Sequence, residues 1–198
     1  MATLRIAFVG DSFVNGTGDP DALGWVGRAA ASAWRRGHDV TVYNLGIRRD
    51  TSTDIAARWR TETARRLPPP PTAALVFSFG ANDSVIEDGT SRVPLQTTLD
   101  NARTILAAAH AIAPTLMLGP LPIDDAAVNA NIAELDTALA PLCDQLTIPY
   151  LQVFAPMHAS GIWRTEARAG DGAHPAAAGY TALANLVDQW PAWRSWLP

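Results

Sequence analysis

Four short stretches combine residue types that acyl chemistry uses. Three directly follow apolar runs, and the fourth closes a longer stretch after the last such run. They are Gly10-Asp11-Ser12, Asn44-Leu45-Gly46, Gly80-Ala81-Asn82-Asp83 and Asp171-Gly172-Ala173-His174-Pro175. A serine hydroxyl becomes a good nucleophile when a base takes its proton, and histidine is the usual base near neutral pH. The base needs a partner for its second ring nitrogen, and Asp171 lies three residues before His174.

The same stretches offer hydrogen-bond donors for a developing negative charge. The tetrahedral intermediate of acyl transfer carries an oxyanion, which preorganised donors stabilise. The backbone N–H groups of Ser12 and Gly46 and the side-chain amide of Asn82 are three candidate donors. The residue types therefore predict nucleophilic acyl chemistry, provided that the fold brings the four stretches together.

Apolar runs of strand length alternate with longer helical patterns along the chain. Strands are predicted over 4–9, 39–44, 73–79, 115–119 and 149–153, and helices over 23–36, 52–66, 95–112, 125–146 and 176–189. This alternation is typical of an α/β fold. We predict a three-layer α/β/α sandwich around a five-stranded parallel sheet, with the flavodoxin-like strand order 2-1-3-4-5.

In a parallel sheet, the turns that follow the strands all lie at one edge, where ligands bind in open α/β folds. The four stretches are therefore expected to converge there, with Gly119-Pro120-Leu121-Pro122 as a wall. The tetraproline at 68–71 is expected to end the second helix. The longer connections 84–94 and 154–170 are expected to be loops, and without a lid insertion we expect an open cleft for small acyl groups.

Length and composition exclude several classes of protein. The 198 residues fit one domain spanning 1–198, and the net charge is −4 with all 15 basic residues being scattered Arg, which disfavours nucleic-acid binding. The absence of a long apolar run predicts no membrane span, and the absence of a signal peptide predicts a cytoplasmic location. Cys143 is the only cysteine, so we expect a buried structural thiol and neither disulfides nor a cysteine metal cluster. Nothing in the sequence decides the oligomeric state.

The blocks "GDS", "NLG", "GAND" and "DGAHP", in this order, resemble those of the SGNH (GDSL-type) hydrolase family. The resemblance implies a serine esterase with Ser12 as nucleophile and Asp171 and His174 as the other triad members. It further implies Ser12, Gly46 and Asn82 as oxyanion donors, a small-molecule ester substrate, and no metal or organic cofactor. The chain departs from the family pattern in two places. Phe13 follows GDS where leucine is usual, and Arg49 stands where the second block often has glycine, at the expected rim of the pocket.

Several functions stay open at the level of sequence. The ester could be a short-chain carboxylic ester, an acetylated carbohydrate, a lysophospholipid or a thioester, and the acyl group could pass to an alcohol as in an acyltransferase. One rival is a non-catalytic binding domain of the same fold, which the complete set of site residues disfavours. Another is a nucleotide- or flavin-binding protein, but "GDSFVNGTGD" places acids where a phosphate loop is needed.

Other notable residues are interpreted as structural. Asp11 and Asp83 are expected to accept hydrogen bonds from turn N–H groups. Trp25 and Trp163 flank the motif loops, and we expect them to pack in the core, with pocket lining as the alternative. The tryptophan-rich tail 190–198 either covers the body of the protein or meets a second subunit.

Overall fold

The structure of the protein, a computed structural model, describes residues 3–67 and 72–197. Its strands are short, and the two longest, β1 and β2, come first in the chain. The strands are Leu4–Gly10 (β1), Val40–Gly46 (β2), Ala73–Ser78 (β3), Ile86–Glu87 (β4), Thr90–Ser91 (β5), Thr115–Leu118 (β6) and Tyr150–Leu151 (β7).

Helices occupy most of the connections between the strands. They are Ser12–Asn15 (α1), Gly24–Arg35 (α2), Ser52–Ala64 (α3), Ala81–Ser84 (α4), Leu95–His110 (α5), Ala126–Gln145 (α6), Phe154–Ala159 (α7), Gly161–Ala169 (α8), Ala177–Gln189 (α9) and Pro191–Ser195 (α10). No helix in the described part of the chain is long and apolar enough to cross a membrane.

The main sheet has five parallel strands in the order β2-β1-β3-β6-β7. These are the five predicted strands in the predicted order 2-1-3-4-5, so the predicted fold class is confirmed. β1 lies between β2 and β3, with Gly10 beside Gly46 on one side and Ser78 on the other. The turns after these three neighbouring strands therefore start at the same level of the sheet.

Alternation along β1 explains why helices cover both faces of the sheet. Ile6 and Phe8 belong to one buried apolar cluster, and Ala7 and Val9 belong to the other. Helices α2, α9 and α10 contribute to the first cluster, α3 and α5 contribute to the second, and α6 reaches both. A strand that is buried on both faces needs apolar residues at every position, which is the pattern of a parallel sheet.

The prediction of a loop over 154–170 is wrong, because α7 and α8 fill this stretch. The Ser160 hydroxyl accepts a hydrogen bond from the N–H of Trp163 and so caps the start of α8. Trp163 and Ala167, four residues apart, form the buried face of the helix. Each helix is short, and the glycines at 161 and 170 obscure the helical periodicity in the sequence.

A short hairpin and the tryptophan-rich tail complete the fold. The stretch 84–94, for which the sequence predicts a loop, contains the antiparallel hairpin β4–β5. The tail covers the body of the protein through the buried Trp193, whose ring lies 6.0 Å from that of Phe8. The tetraproline at 68–71 lies outside the described residues.

Candidate active site

Ser12 is the first residue of α1, directly after the buried strand β1. Asp11 caps this single helical turn, since its Oδ1 accepts a hydrogen bond of 2.9 Å from the N–H of Phe13. The strand end is tightly packed, and a Cβ added at Gly10 would lie 2.0 Å from the carbonyl oxygen of Ser78. The absence of a side chain at Gly10 therefore lets the end of β1 pack closely against β3. The helical turn that follows places the Ser12 hydroxyl at the carboxyl edge of the sheet.

Asp171 and His174 lie on the connection between α8 and α9, and this segment folds back onto Ser12. The His174 Nε2 atom lies 2.7 Å from the Ser12 Oγ atom. The His174 Nδ1 atom lies 2.8 Å from Asp171 Oδ2. The Asp171 Oδ1 atom accepts hydrogen bonds from the backbone N–H groups of Ala173 and His174. Three residues that span most of the chain thus form one hydrogen-bonded series.

The surroundings of His174 and Asp171 shift their pKa values. Burial lowers the pKa of His174 below its usual range, and the nearby Arg48 cation lowers it further, against an opposing contribution from Asp171. Burial acts to raise the pKa of Asp171, but three hydrogen bonds from Ala173 and His174 outweigh it and lower that pKa to about 2. At neutral pH the imidazole is therefore neutral and the carboxylate ionised, as a general base and its orienting partner require.

Aromatic rings support the imidazole of His174. The Phe13 ring lies 4.9 Å from it, and Trp163 stacks on Phe13 at 6.0 Å. The Trp163 indole N–H donates to the carbonyl of Pro122, so this tryptophan packs in the core, as Trp25 does. Phe13, the departure from the usual leucine, therefore links the nucleophile turn to the imidazole.

Gly46 occupies the end of β2, but its N–H already has an acceptor. It donates to Asn44 Oδ1 at 3.0 Å. A Cβ at this position would lie 2.2 Å from the backbone nitrogen of Asn15 and 2.6 Å from the carbonyl oxygen of Asp11. The structure therefore does not present this N–H as an open donor, contrary to our expectation, and glycine here permits close approach of the chain to the nucleophile turn.

Asn82 lies in α4, the single helical turn after β3. Its side-chain Nδ2 donates to the carbonyl oxygen of Asp50 at 3.0 Å, which uses one of the two amide hydrogens. The neighbouring Asp83 accepts hydrogen bonds from the N–H of Ser52 and the hydroxyl of Thr98. Both residues thus tie the β3 turn to the segment after β2, and the expected structural role of Asp83 is seen in these contacts.

The turn after β2 carries two arginines at the rim of the site. Arg48 Nη2 lies 3.0 Å from Asp171 Oδ2, and the Arg49 guanidinium pairs with Glu87 at 3.1 Å. Both arginine side chains are largely exposed. Arg49 has a φ of 72°, a left-handed conformation that glycine adopts more readily. Arg49, at a position where the family often has glycine, therefore keeps a glycine-like backbone conformation and adds a positive charge to the rim.

An open groove lies beside the hydrogen-bonded series and has a volume of about 380 Å³. Its lining includes Thr17, Arg48, Glu166, Asp171 and His174. The backbone around Gly18 closes one side, where a Cβ would lie 2.9 Å from the Cβ of His174. The groove thus has room for a small substituent next to the imidazole.

Sequence analysis missed one residue that touches several parts of this edge. Arg58 of α3 donates to the carbonyl oxygens of Gly10 and Leu45 at 2.9 and 3.0 Å. It also donates to the carboxylates of Asp50 and Glu62, each at 2.6 Å. The spacing of Arg58 and Glu62 predicts a helical ion pair, but no sequence signal connects Arg58 to the ends of β1 and β2.

A parallel α/β sheet of this order, with serine, histidine and aspartate joined at its carboxyl edge, defines a hydrolase of the SGNH type. A profile of the GDSL-like lipase/acylhydrolase family matches residues 8–182. The chain belongs to this family, and it is a hydrolase that acts on esters.

Several solved structures share this fold. A lipase/acylhydrolase from Enterococcus faecalis superposes with a TM-score of 0.79 at 21% identity, covering 96% of each chain. An acetylxylan esterase from Geobacillus stearothermophilus gives 0.77 at 17% identity, covering 92% of this chain and 91% of its own. A GDSL-family protein from Veillonella parvula gives 0.75 at 18% identity, covering 95% and 97%. A search of curated proteins found no significant match.

Proposed function

We propose that the protein is a serine esterase that works through a Ser12–His174–Asp171 triad. The observation that carries the proposal is the continuous series of two short contacts, Ser12 Oγ to His174 Nε2 and His174 Nδ1 to Asp171 Oδ2. A nucleophile, a base and an orienting acid in this arrangement are the parts that acyl transfer from an ester requires.

In the proposed reaction, His174 Nε2 takes the hydroxyl proton of Ser12 while Oγ attacks the ester carbonyl. The resulting imidazolium then gives that proton to the departing alcohol, and the acyl group stays on Ser12. Water enters, loses a proton to the same nitrogen and attacks the acyl-enzyme. The proton returns to Ser12 Oγ as the carboxylic acid leaves, so each turnover restores the starting state.

Asp171 supports the two steps in which the imidazole becomes positively charged. Its pKa of about 2 keeps it ionised across the working range of a histidine base. Its Oδ2 holds the proton on Nδ1, which leaves the Nε2 lone pair directed at Ser12. The low pKa of His174 means that the base is ready to accept a proton at mildly acidic as well as neutral pH.

For the oxyanion we propose two donors, the backbone N–H of Ser12 and the side-chain amide of Asn82. The amide gives one hydrogen to Asp50 and has a second for the oxyanion. We do not assign a donor role to Gly46, since its N–H donates to Asn44. Its proposed role is to let the β2 turn pass close to Asp11 and Asn15.

We propose small acyl groups such as acetyl or butyryl as the preferred substrates. The supporting feature is the open groove beside His174, whose volume of about 380 Å³ suits a small group. Within this class, an acetylated carbohydrate is a candidate because of the likeness to an acetylxylan esterase. Transfer of the same acyl-enzyme to an alcohol would make the protein an acyltransferase.

The test is a panel of p-nitrophenyl esters from acetyl to dodecanoyl, assayed with the wild type and Ser12→Ala. We expect the highest kcat/KM for acetyl and butyryl esters and a loss in Ser12→Ala on the order of 10⁴–10⁶ in kcat. A fluorophosphonate should label the wild type once, on the peptide that contains Ser12. Preference for acyl chains of about ten carbons or more would contradict the proposed substrate class.

Ser84→Ala is the matched control for this test. Ser84 is also a buried serine after a central strand, and its hydroxyl donates to the carbonyl of Gly80. This variant should keep its activity and its labelling. Labelling that persists in Ser12→Ala, or that maps to another serine, would overturn the assignment of the nucleophile.

A further inference from the structure

Arg58 lies on α3, outside the triad, and its guanidinium is almost buried, with 15% of the side chain exposed. Its Nη2 donates to Gly10 O, its Nη1 donates to Leu45 O and Glu62 Oε2, and its Nε donates to Asp50 Oδ2. Four hydrogen bonds therefore use most of the five donors that an arginine side chain carries.

Three of these four acceptors belong to segments that hold site residues. Gly10 is two residues before Ser12, so its carbonyl fixes the start of the nucleophile turn. Leu45 directly precedes Gly46 at the end of β2. Asp50 offers its carboxylate to Arg58 and its backbone carbonyl to the Asn82 amide, which links the same guanidinium to the third segment.

From this arrangement we infer that Arg58 is a positioning residue for catalysis. It acts through the proposed function, by holding the Ser12 turn, the end of β2 and the acceptor of the Asn82 amide at fixed distances from one another. The guanidinium is planar and rigid, so its donors set the directions of the bonded groups as well as their separation. Lysine retains the charge but presents a single nitrogen on a flexible stem, and it cannot hold three separate acceptors in this geometry.

Positioning of this kind affects the transition state more than substrate binding. The oxyanion donors act only once charge develops on the carbonyl oxygen, and small displacements of such donors reduce their effect. A displacement of about 1 Å can cost on the order of 10²-fold in rate. Loss of the Arg58 contacts should therefore lower kcat and leave KM nearly unchanged.

The experiment compares Arg58→Lys with Glu62→Gln by steady-state kinetics on p-nitrophenyl acetate and by thermal melting. Glu62→Gln weakens only the ion pair between Arg58 and Glu62, which lies away from the strand ends. It is therefore the matched control for the loss of an ion pair. We expect Arg58→Lys to lower kcat by about 10- to 100-fold, with KM within about threefold of the wild type. Glu62→Gln should lower the melting temperature while keeping kcat within about twofold.

If the kcat of Arg58→Lys equals that of Glu62→Gln, or if Arg58→Lys changes only KM, then Arg58 has only a structural role. If Arg58→Lys does not fold, Asp50→Ala is the alternative test variant. It removes one acceptor of Arg58 and leaves the backbone carbonyl that holds Asn82. We expect it to lower kcat by about tenfold at nearly constant KM; an unchanged kcat overturns the inference. Ser12→Ala, assayed in parallel, separates the two proposals, because an active Ser12→Ala contradicts the esterase mechanism itself.

Discussion

Two carboxylates at the same edge of the sheet, Asp11 and Asp171, have opposite protonation behaviour. Burial raises the pKa of Asp11 to about 7, and the nearby carboxylates of Asp83 and Asp50 raise it further. The hydrogen bond from the Phe13 N–H lowers this pKa but does not cancel the rise. In Asp171, whose side chain is 41% exposed, hydrogen bonds from Ala173 and His174 outweigh burial and lower the pKa to about 2.

The difference shows which acid can serve the imidazole. In the proposed mechanism, an ionised carboxylate stabilises the imidazolium that forms when Ser12 loses its proton. Asp171 is ionised throughout the relevant pH range, whereas Asp11 binds a proton for much of it. Proximity to Ser12 along the chain is therefore a poor guide to function, because Asp11 is its direct neighbour and serves as the cap of α1.

The sharpest test of this comparison is Asp→Asn at each of the two positions. Asp171→Asn should lower kcat by on the order of 10⁴-fold, since the amide cannot stabilise the imidazolium and can hold the wrong tautomer. The measurement is kcat for p-nitrophenyl acetate at pH 7.5. Asp11→Asn should lose far less activity, because Asn also accepts the Phe13 N–H. Equal losses would mean that the two carboxylates do not differ in function.

The strand-end part of the site is tested by Asn82→Ala. Removing one oxyanion donor should lower kcat by about 10²–10³-fold and change KM little, because the donor acts mainly in the transition state. Slow labelling of Ser12 by a fluorophosphonate should persist, since the nucleophile and base are intact. A constant kcat together with a lower melting temperature would instead identify Asn82 as a turn-forming residue, through its bond to Asp50.

The raised pKa of Asp11 also makes the stability of the protein depend on pH. Because its pKa in the folded protein is raised to about 7 from 3.8, Asp11 contributes stability below pH 4 that is lost as pH rises through 7. Asp11→Asn removes this titration. The melting temperature of Asp11→Asn minus that of the wild type should therefore increase from pH 4.5 to pH 8, by at least about 3 °C. A difference that stays constant with pH would contradict the raised pKa.

The smallest expected effect concerns Arg48, which contacts the exposed side of Asp171. Its cation helps to lower the pKa of His174, so Arg48→Gln should move the acid limb of kcat/KM to higher pH. We expect a shift of less than about one pH unit, because the pair is exposed and screened by solvent. High salt should produce a similar shift in the wild type and little in the variant. A shift to lower pH would show that Arg48 acts in another way.

The sequence predicted the fold because the relevant signals are local. Apolar runs of strand length, separated by helical patterns, require a parallel sheet buried on both faces, and such a sheet aligns the turns after its strands. Ser12, Asn82, Asp171 and His174 were expected at this edge for that reason. The prediction failed at α7 and α8, which are too short for a clear helical periodicity and have glycines at the first residue and at the C-cap of α8.

The sequence by itself determined the alternation of strands and helices and the set of polar residues that follow the strands, since both are read from periodicity and chain order. The strand order was expected by analogy with flavodoxin-like folds, and the pairing of the strands is a property of the tertiary structure. Only the tertiary structure decided which hydrogen-bonding groups at this edge are free to act and which are already paired. The Gly46 N–H is occupied by Asn44, and Arg58 reaches Gly10 from 48 residues away. Asp11 and Asp171 differ in pKa because burial and hydrogen-bond count depend on neighbours distant in the chain, which no local pattern encodes.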